Sequence, residues 1–331
     1  SLFIRTQYPR RIHCSVTNMA GVSKLAARRF PDFEDGGGVN TDICSRIPPV
    51  VSQGYEPKGE YKTIAGLKTC MSPRILCPGR SVLLTLGLDV TGPADAAKAL
   101  LVVSGTPRRL PFFPLYLSPF AADSDCSLID IFGFFPQTLQ GSDILSSSDA
   151  DNKYRVFIPD FFEGEPCDIS IFPPKTDEHK QYLSNFFATK AVPSKAVSRI
   201  PSIVEEANKL APSGSFQWGI VGYCWGGKVT SLTAGEQNKT FKAAAQVHPA
   251  FLDPEDAKKV DIPMAVLASK DEDPAAVQGY EANLKVPKYV ETYPDMIHGW
   301  MGARSNLEDP EVRKQYQRGY ETLLKFFCEH L

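Results

Sequence analysis

A chain of 331 residues, 43% hydrophobic and 22% charged, has ordinary globular composition and is long enough to bury a sizeable core. Its formal net charge of −2, from 36 basic and 38 acidic residues, lacks the basic excess of proteins that bind nucleic acid or membrane surfaces. No apolar run reaches the roughly 20 residues needed to span a bilayer, so neither nucleic acid nor a membrane is an expected partner.

The first 31 residues hold no acid and six basic residues, Arg5, Arg10, Arg11, Lys24, Arg28 and Arg29. That is the composition of a mitochondrial presequence, although a disordered leader is the plainer expectation. Acidic, Gly-rich Asp32–Asn40 follows as a linker, so 1–43 is expected to stand outside the fold and 44–331 to form a single domain. Eight cysteines are spread along the chain without a CxxC pair or zinc-ligand spacing. This predicts reduced thiols, no metal, and a cytoplasmic protein, with a mitochondrial address if the basic leader is genuine.

Tyr61–Ile64 and Leu67–Thr69 flank Ala65-Gly66, which predicts a hairpin. Ala99–Val103, Tyr154–Pro159, Gln217–Gly222, Lys242–His248, Ile262–Ala268 and Lys288–Tyr293 are short apolar runs of strand length. Between and after them, 177–191, 194–210, 227–236, 275–284 and 310–330 carry apolar residues at three- and four-residue spacing, the helical signature. Alternating buried strands and helices predict a mostly parallel, doubly wound α/β sheet with helices on both faces. Two stretches break the pattern. Residues 71–89 and the proline-broken 104–128 fit no element and are expected as foreign insertions, poorly ordered and outside the sheet.

Gly222-Tyr-Cys224-Trp-Gly226-Gly follows an apolar strand directly and precedes a helical pattern. This is the nucleophile-elbow pattern with cysteine at its centre. A strand turning abruptly into a helix strains the central residue and projects its side chain from the sheet edge. Small residues two before and two after let backbone approach closely. The thiol also sits at a helix N-terminus, whose partial positive charge favours thiolate. A base and an acid are then expected after later strands, in the order nucleophile, acid, histidine. Asp271 comes first after the Ile262–Ala268 strand, ahead of its rivals Glu272 and Asp273, and His298 lies in the loop before the last helix. His248, at a strand end, could line the cleft, but a satisfied core residue is the plainer expectation.

Taken together, Gly222–Lys228, Ala268-Ser-Lys-Asp-Glu272, His298-Gly-Trp, Asp130-Ile-Phe-Gly-Phe134 and Tyr154–Phe162 make the chain resemble the dienelactone hydrolase family, closest to its fungal branch. The resemblance implies an α/β-hydrolase fold and a cofactor-independent Cys-His-Asp triad of Cys224, His298 and Asp271. The substrate it implies is a small ester or lactone, cleaved through a thioester; a monomer or weak homodimer is expected. It also implies an oxyanion hole from the backbone N–H groups of Trp225 and Ile131. Family members that cleave dienelactone carry a Glu where this chain has Asp130, expected here to modulate the thiol. They also carry an Arg after the Pro-Asp motif, a part that Arg304 could take in holding a substrate carboxylate. A catalytically silent ligand-binding relative and a redox-active cysteine protein are the competing readings.

Overall fold

The computed structural model describes residues 47–67, 84–104, 131, 135–147, 153–171, 174–236 and 240–331, all within one compact unit. The apolar runs assemble into one eight-stranded sheet among the described residues, in the order β1-β2-β4-β3-β5-β6-β7-β8. The strands are β1 Glu60–Leu67, β2 Leu84–Thr91, β3 Lys98–Val103, β4 Tyr154–Pro159, β5 Gln217–Tyr223, β6 Phe241–Val247, β7 Met264–Ser269 and β8 Lys288–Tyr293. β1 is antiparallel to β2 and β2 to β4, while every other pair is parallel.

Successive side chains of a strand point to opposite faces, and the core divides accordingly. Ala99, Leu101 and Val103 of β3 pack in one apolar cluster; Leu100 and Val102 pack in the other. The first cluster is covered by α2 (Asp177–Thr189), α3 (Pro193–Asn208) and α4 (Trp225–Ala234). The second is covered by α1 (Pro136–Ser147) and α7 (Pro310–His330). Along α7, Tyr316, Tyr320, Leu323, Leu324 and Phe327 are buried at helical spacing, and each such side chain contributes about 1.5–3 kcal/mol. Asp309 caps that helix by accepting from the N–H groups of Glu311 and Val312. Short α5 (Pro254–Ala257) and α6 (Pro274–Asn283) complete the described helices. The doubly wound α/β expectation holds, and none of these helices is long and apolar enough to cross a membrane.

Three expectations change. The hairpin at Ala65-Gly66 is instead one continuous strand, β1, with a bulge between Ala65 and Leu67 that absorbs the glycine. The supposed insertion 71–89 is partly sheet. Its Leu84–Asp89 end belongs to β2, which pairs on both sides, because a Leu-Thr-Leu-Gly-Leu run is a good strand once partners flank it. Residues 71–83 and 105–128 lie outside the described residues, as does the leader. Helix α1 escaped the sequence reading because it has no apolar stripe: Thr138, Gln140, Ser142, Asp143 and Ser146 are all buried. Cys167 and Cys224 are free thiols, whereas Cys328 is disulfide-bonded, so reduced thiols throughout do not hold.

Candidate active site

β5 ends at Tyr223 and α4 begins at Trp225, leaving Cys224 alone to reverse the chain. It does so at φ 52° and ψ −114°, a conformation rare for a residue with a side chain and costing about 1–3 kcal/mol. The turn closes because its flanking residues are glycines. A Cβ on Gly222 would lie 2.0 Å from the Gly226 carbonyl oxygen, and one on Gly226 would lie 1.9 Å from that of Val103. Hydrogen bonds hold the strained residue from both sides. Cys224 N–H donates to Val247 O at 3.0 Å, and Cys224 O accepts from Gly227 and Ala250 N–H, each at 2.9 Å. The Trp225 indole donates to Ala191 O at 2.7 Å and anchors the first turn of α4.

The backbone N–H of Trp225 belongs to the first turn of α4, where N–H groups have no partner inside the helix. Ile131 is fully buried in the apolar cluster that also holds Cys224 and Trp225, and its carbonyl accepts from Cys167 N–H at 3.0 Å. Asp130 lies outside the described residues.

His298 is buried, with 1% of its surface exposed, and its Nδ1 lies 2.6 Å from Oε1 of Glu272. Asp271, expected from chain order to meet the imidazole, does not; its Oδ2 accepts instead from the backbone N–H of His298 at 2.7 Å. The reason is the turn after β7. Asp271 occupies its exposed side, while Glu272 is buried and folds back toward the strand end. There Glu272 accepts from Ser269 N–H and from Ser269 Oγ, the latter at 3.0 Å. The longer side chain on the inward residue reaches the ring. Being first after a strand is a poor guide when a turn decides which acid faces inward.

Arg304 is half-buried, and its Nη1 donates to His298 O at 2.9 Å. Burial lowers its pKa, opposed by nearby Asp271 and Cys224, and its bond to the His298 carbonyl puts the guanidinium at the border of the site. His248 contradicts its expectation. It is wholly buried at φ 37°, and neither ring nitrogen has a partner among the described residues. Its ring sits 5.0 Å from that of His298, edge to face. Strand register could have flagged it: Tyr223 pairs with Val247, so the next residues along are Cys224 and His248.

A cavity of about 210 Å³ opens beside the pair, lined by Pro249, Phe251, Leu252, Asp271, Glu272 and His298. A larger one, about 340 Å³, is lined from α3, α4 and α5 and touches none of these groups. The smaller borders the His298–Glu272 contact, and Cys224 and His248 are not among its lining residues. No group of three or more His, Cys, Asp or Glu among the described residues is arranged to hold a metal.

A model of the dienelactone hydrolase family matches residues 129–331, more than half of the chain and every element from α1 onward. The chain belongs to the dienelactone hydrolase family. Membership places it among the ester and lactone hydrolases. An AIM2 family protein of Schizosaccharomyces pombe is 37% identical over 204 residues, 60% of this chain and 79% of that one. Hydrolase pyvD of Aspergillus violaceofuscus is 26% identical over 212 residues, 62% of this chain and 80% of that one. Among solved structures, the Pyrococcus horikoshii acylaminoacyl peptidase shares the α/β-hydrolase fold. Its TM-score is 0.51 at 14% identity, over 82% of this chain and 42% of that one.

Proposed function

We propose that this dienelactone hydrolase family member cleaves small esters or lactones with Cys224 as nucleophile, His298 as base and Glu272 as the acid that orients the base. The observation that carries the reading is the buried His298–Glu272 contact, 2.6 Å from Nδ1, combined with a cysteine at φ 52° on a strand–helix elbow. A carboxylate on Nδ1 fixes the tautomer with Nε2 as the basic nitrogen and stabilises the imidazolium that forms when the thiol gives up its proton. The thiolate adds to the ester carbonyl carbon, and the alkoxide leaves with the proton taken from His298. Water then hydrolyses the thioester. Backbone N–H groups of Trp225 and Ile131 are assigned to the oxyanion, where fixed donors act without reorganising. Asp271 holds the backbone of His298, and Arg304 is assigned to a carboxylate on the substrate.

The test is turnover of p-nitrophenyl acetate by the purified protein, with intact-mass detection of an acetyl group on Cys224. Hydrolysis lost in Cys224→Ala and on iodoacetamide treatment supports the reading. Turnover that survives both refutes it.

A further inference from the structure

Three ring nitrogens lie close together beyond the carboxyl ends of β6 and β8 without partners among the described residues outside their own backbone: Nε2 of His298 and both nitrogens of His248. A histidine retained for packing has its nitrogens hydrogen-bonded, because a buried polar group without a partner is destabilising. Beyond its own backbone His248 has neither bonded, yet its main chain is tightly held. Its N–H donates to Leu267 O at 2.7 Å, and the next turn is tied to the nucleophile through Ala250 N–H to Cys224 O at 2.9 Å. Its ring lies between that of Tyr223, 5.9 Å away, and that of His298, 5.0 Å away. The fold thus fixes a second imidazole beside the proposed base and leaves its polar edge unused. Burial, then the neighbouring His298, depress its pKa well below the usual histidine range, against the pull of its own backbone and with a smaller push from Arg304, so it stays neutral. A neutral imidazole offers one donor and one acceptor, the complement of a water molecule.

We propose that His248 is a catalytic residue of the second half-reaction, hydrogen-bonding the water that hydrolyses the Cys224 thioester while His298 takes its proton. This rests on the triad reading above. In the step, the water oxygen bonds to the thioester carbonyl carbon and one water proton passes to Nε2 of His298. The other proton stays on the oxygen, which is oriented by His248. The carbon–sulfur bond then breaks, its electron pair returns to Cys224, and His298 returns the proton to the thiolate. Thioester and water become thiol and carboxylic acid. Acylation involves no water, so His248 acts after it.

The experiment follows acetyl-Cys224 during p-nitrophenyl acetate turnover by rapid quench and intact mass. The proteins compared are the wild type, His248→Asn and His248→Gly, the last with and without added imidazole. Glycine and asparagine both accept the positive φ of this position. In His248→Gly, acylation is expected to stay within about threefold of wild type while deacylation slows at least about tenfold, so that acetyl-enzyme accumulates. Imidazole should restore deacylation, and His248→Asn, with a hydrogen-bonding amide, should fall between. Parallel loss of both half-reactions, no change in either, or failure of both variants to fold overturns the proposal. A wild type that never carries acetyl on Cys224 overturns the triad reading as well. A wild type that does, with the His248 variants partitioning normally, overturns the His248 role alone.

Discussion

Glu272→Gln isolates the carboxylate that chain order does not favour. Oε1 of Glu272 accepts from His298 Nδ1 at 2.6 Å and from Ser269 Oγ at 3.0 Å, while Oε2 accepts from Ser269 N–H. All of these partners are donors, and an amide cannot satisfy them. With its oxygen toward the imidazole, its NH2 faces the Ser269 N–H. With its NH2 toward the imidazole, Nδ1 must become the acceptor, so Nε2 carries the proton and cannot accept one from the thiol. A hydrogen bond to a charged group contributes about 1.5–3 kcal/mol, which alone gives about 10- to 150-fold. A wrong tautomer in a His–carboxylate pair raises the loss toward about 10⁴-fold in kcat. The expected range is therefore about 10²- to 10⁴-fold in kcat for p-nitrophenyl acetate. Asp271→Asn keeps an oxygen to accept the His298 N–H, now 2.7 Å from Oδ2, and should lose no more than about fivefold. Circular dichroism and thermal unfolding check that both variants are folded. If Asp271→Asn proves the more damaging of two folded variants, chain order was right and the geometric assignment is wrong.

Cys224→Ala should abolish p-nitrophenyl acetate turnover with a melting temperature near that of wild type; residual activity above a few per cent would falsify the nucleophile. Gly226→Ala places a Cβ 1.9 Å from Val103 O and should destabilise by more than about 3 kcal/mol in urea unfolding, a loss that a flexible elbow would not show. Asp89 is 8% exposed beside Asp143, and burial followed by that neighbour pushes its pKa up to about 7. The folded state therefore holds this proton more tightly than the unfolded state, so stability falls as pH rises from the unfolded carboxylate value toward about 7. Asp89→Asn should accordingly stabilise by about 2–4 kcal/mol at pH 8 and far less at pH 4; equal denaturation midpoints at both pH values would refute the shift.

The parallel half of the sheet was legible because its strands are buried on both faces and stand out as short apolar runs between helical patterns. Tyr154–Pro159 and Lys288–Tyr293 emerge with the very ends that were read. The antiparallel edge was not legible. Leu84–Thr91 becomes a strand through pairing with β1 and β4, a non-local fact that proline- and glycine-rich flanks conceal. Cys224 and His298 followed from local pattern and chain order. The carboxylate that meets the His298 ring did not, since the choice between Asp271 and Glu272 depends on the direction of a turn.

The strain at this site is shared. Four described residues other than glycine have positive φ, and three of them, Cys224, His248 and Phe251, lie at the carboxyl ends of β5 and β6. At about 1–3 kcal/mol each, such conformations persist only where surrounding structure over-determines them. The hydrogen bonds do so reciprocally: Cys224 N–H reaches Val247 O, Ala250 N–H returns to Cys224 O, and His248 N–H reaches Leu267 O. The elbow and the following turn therefore hold each other in place. Gly227 completes the contact, since a Cβ there would lie 2.8 Å from that of Pro249. A perturbation of the His248–Phe251 turn is thus transmitted to Cys224 through backbone as well as through the imidazole. For this reason the half-reaction kinetics, rather than overall activity, are the measurement that separates the part played by the His248 ring from the part played by its turn.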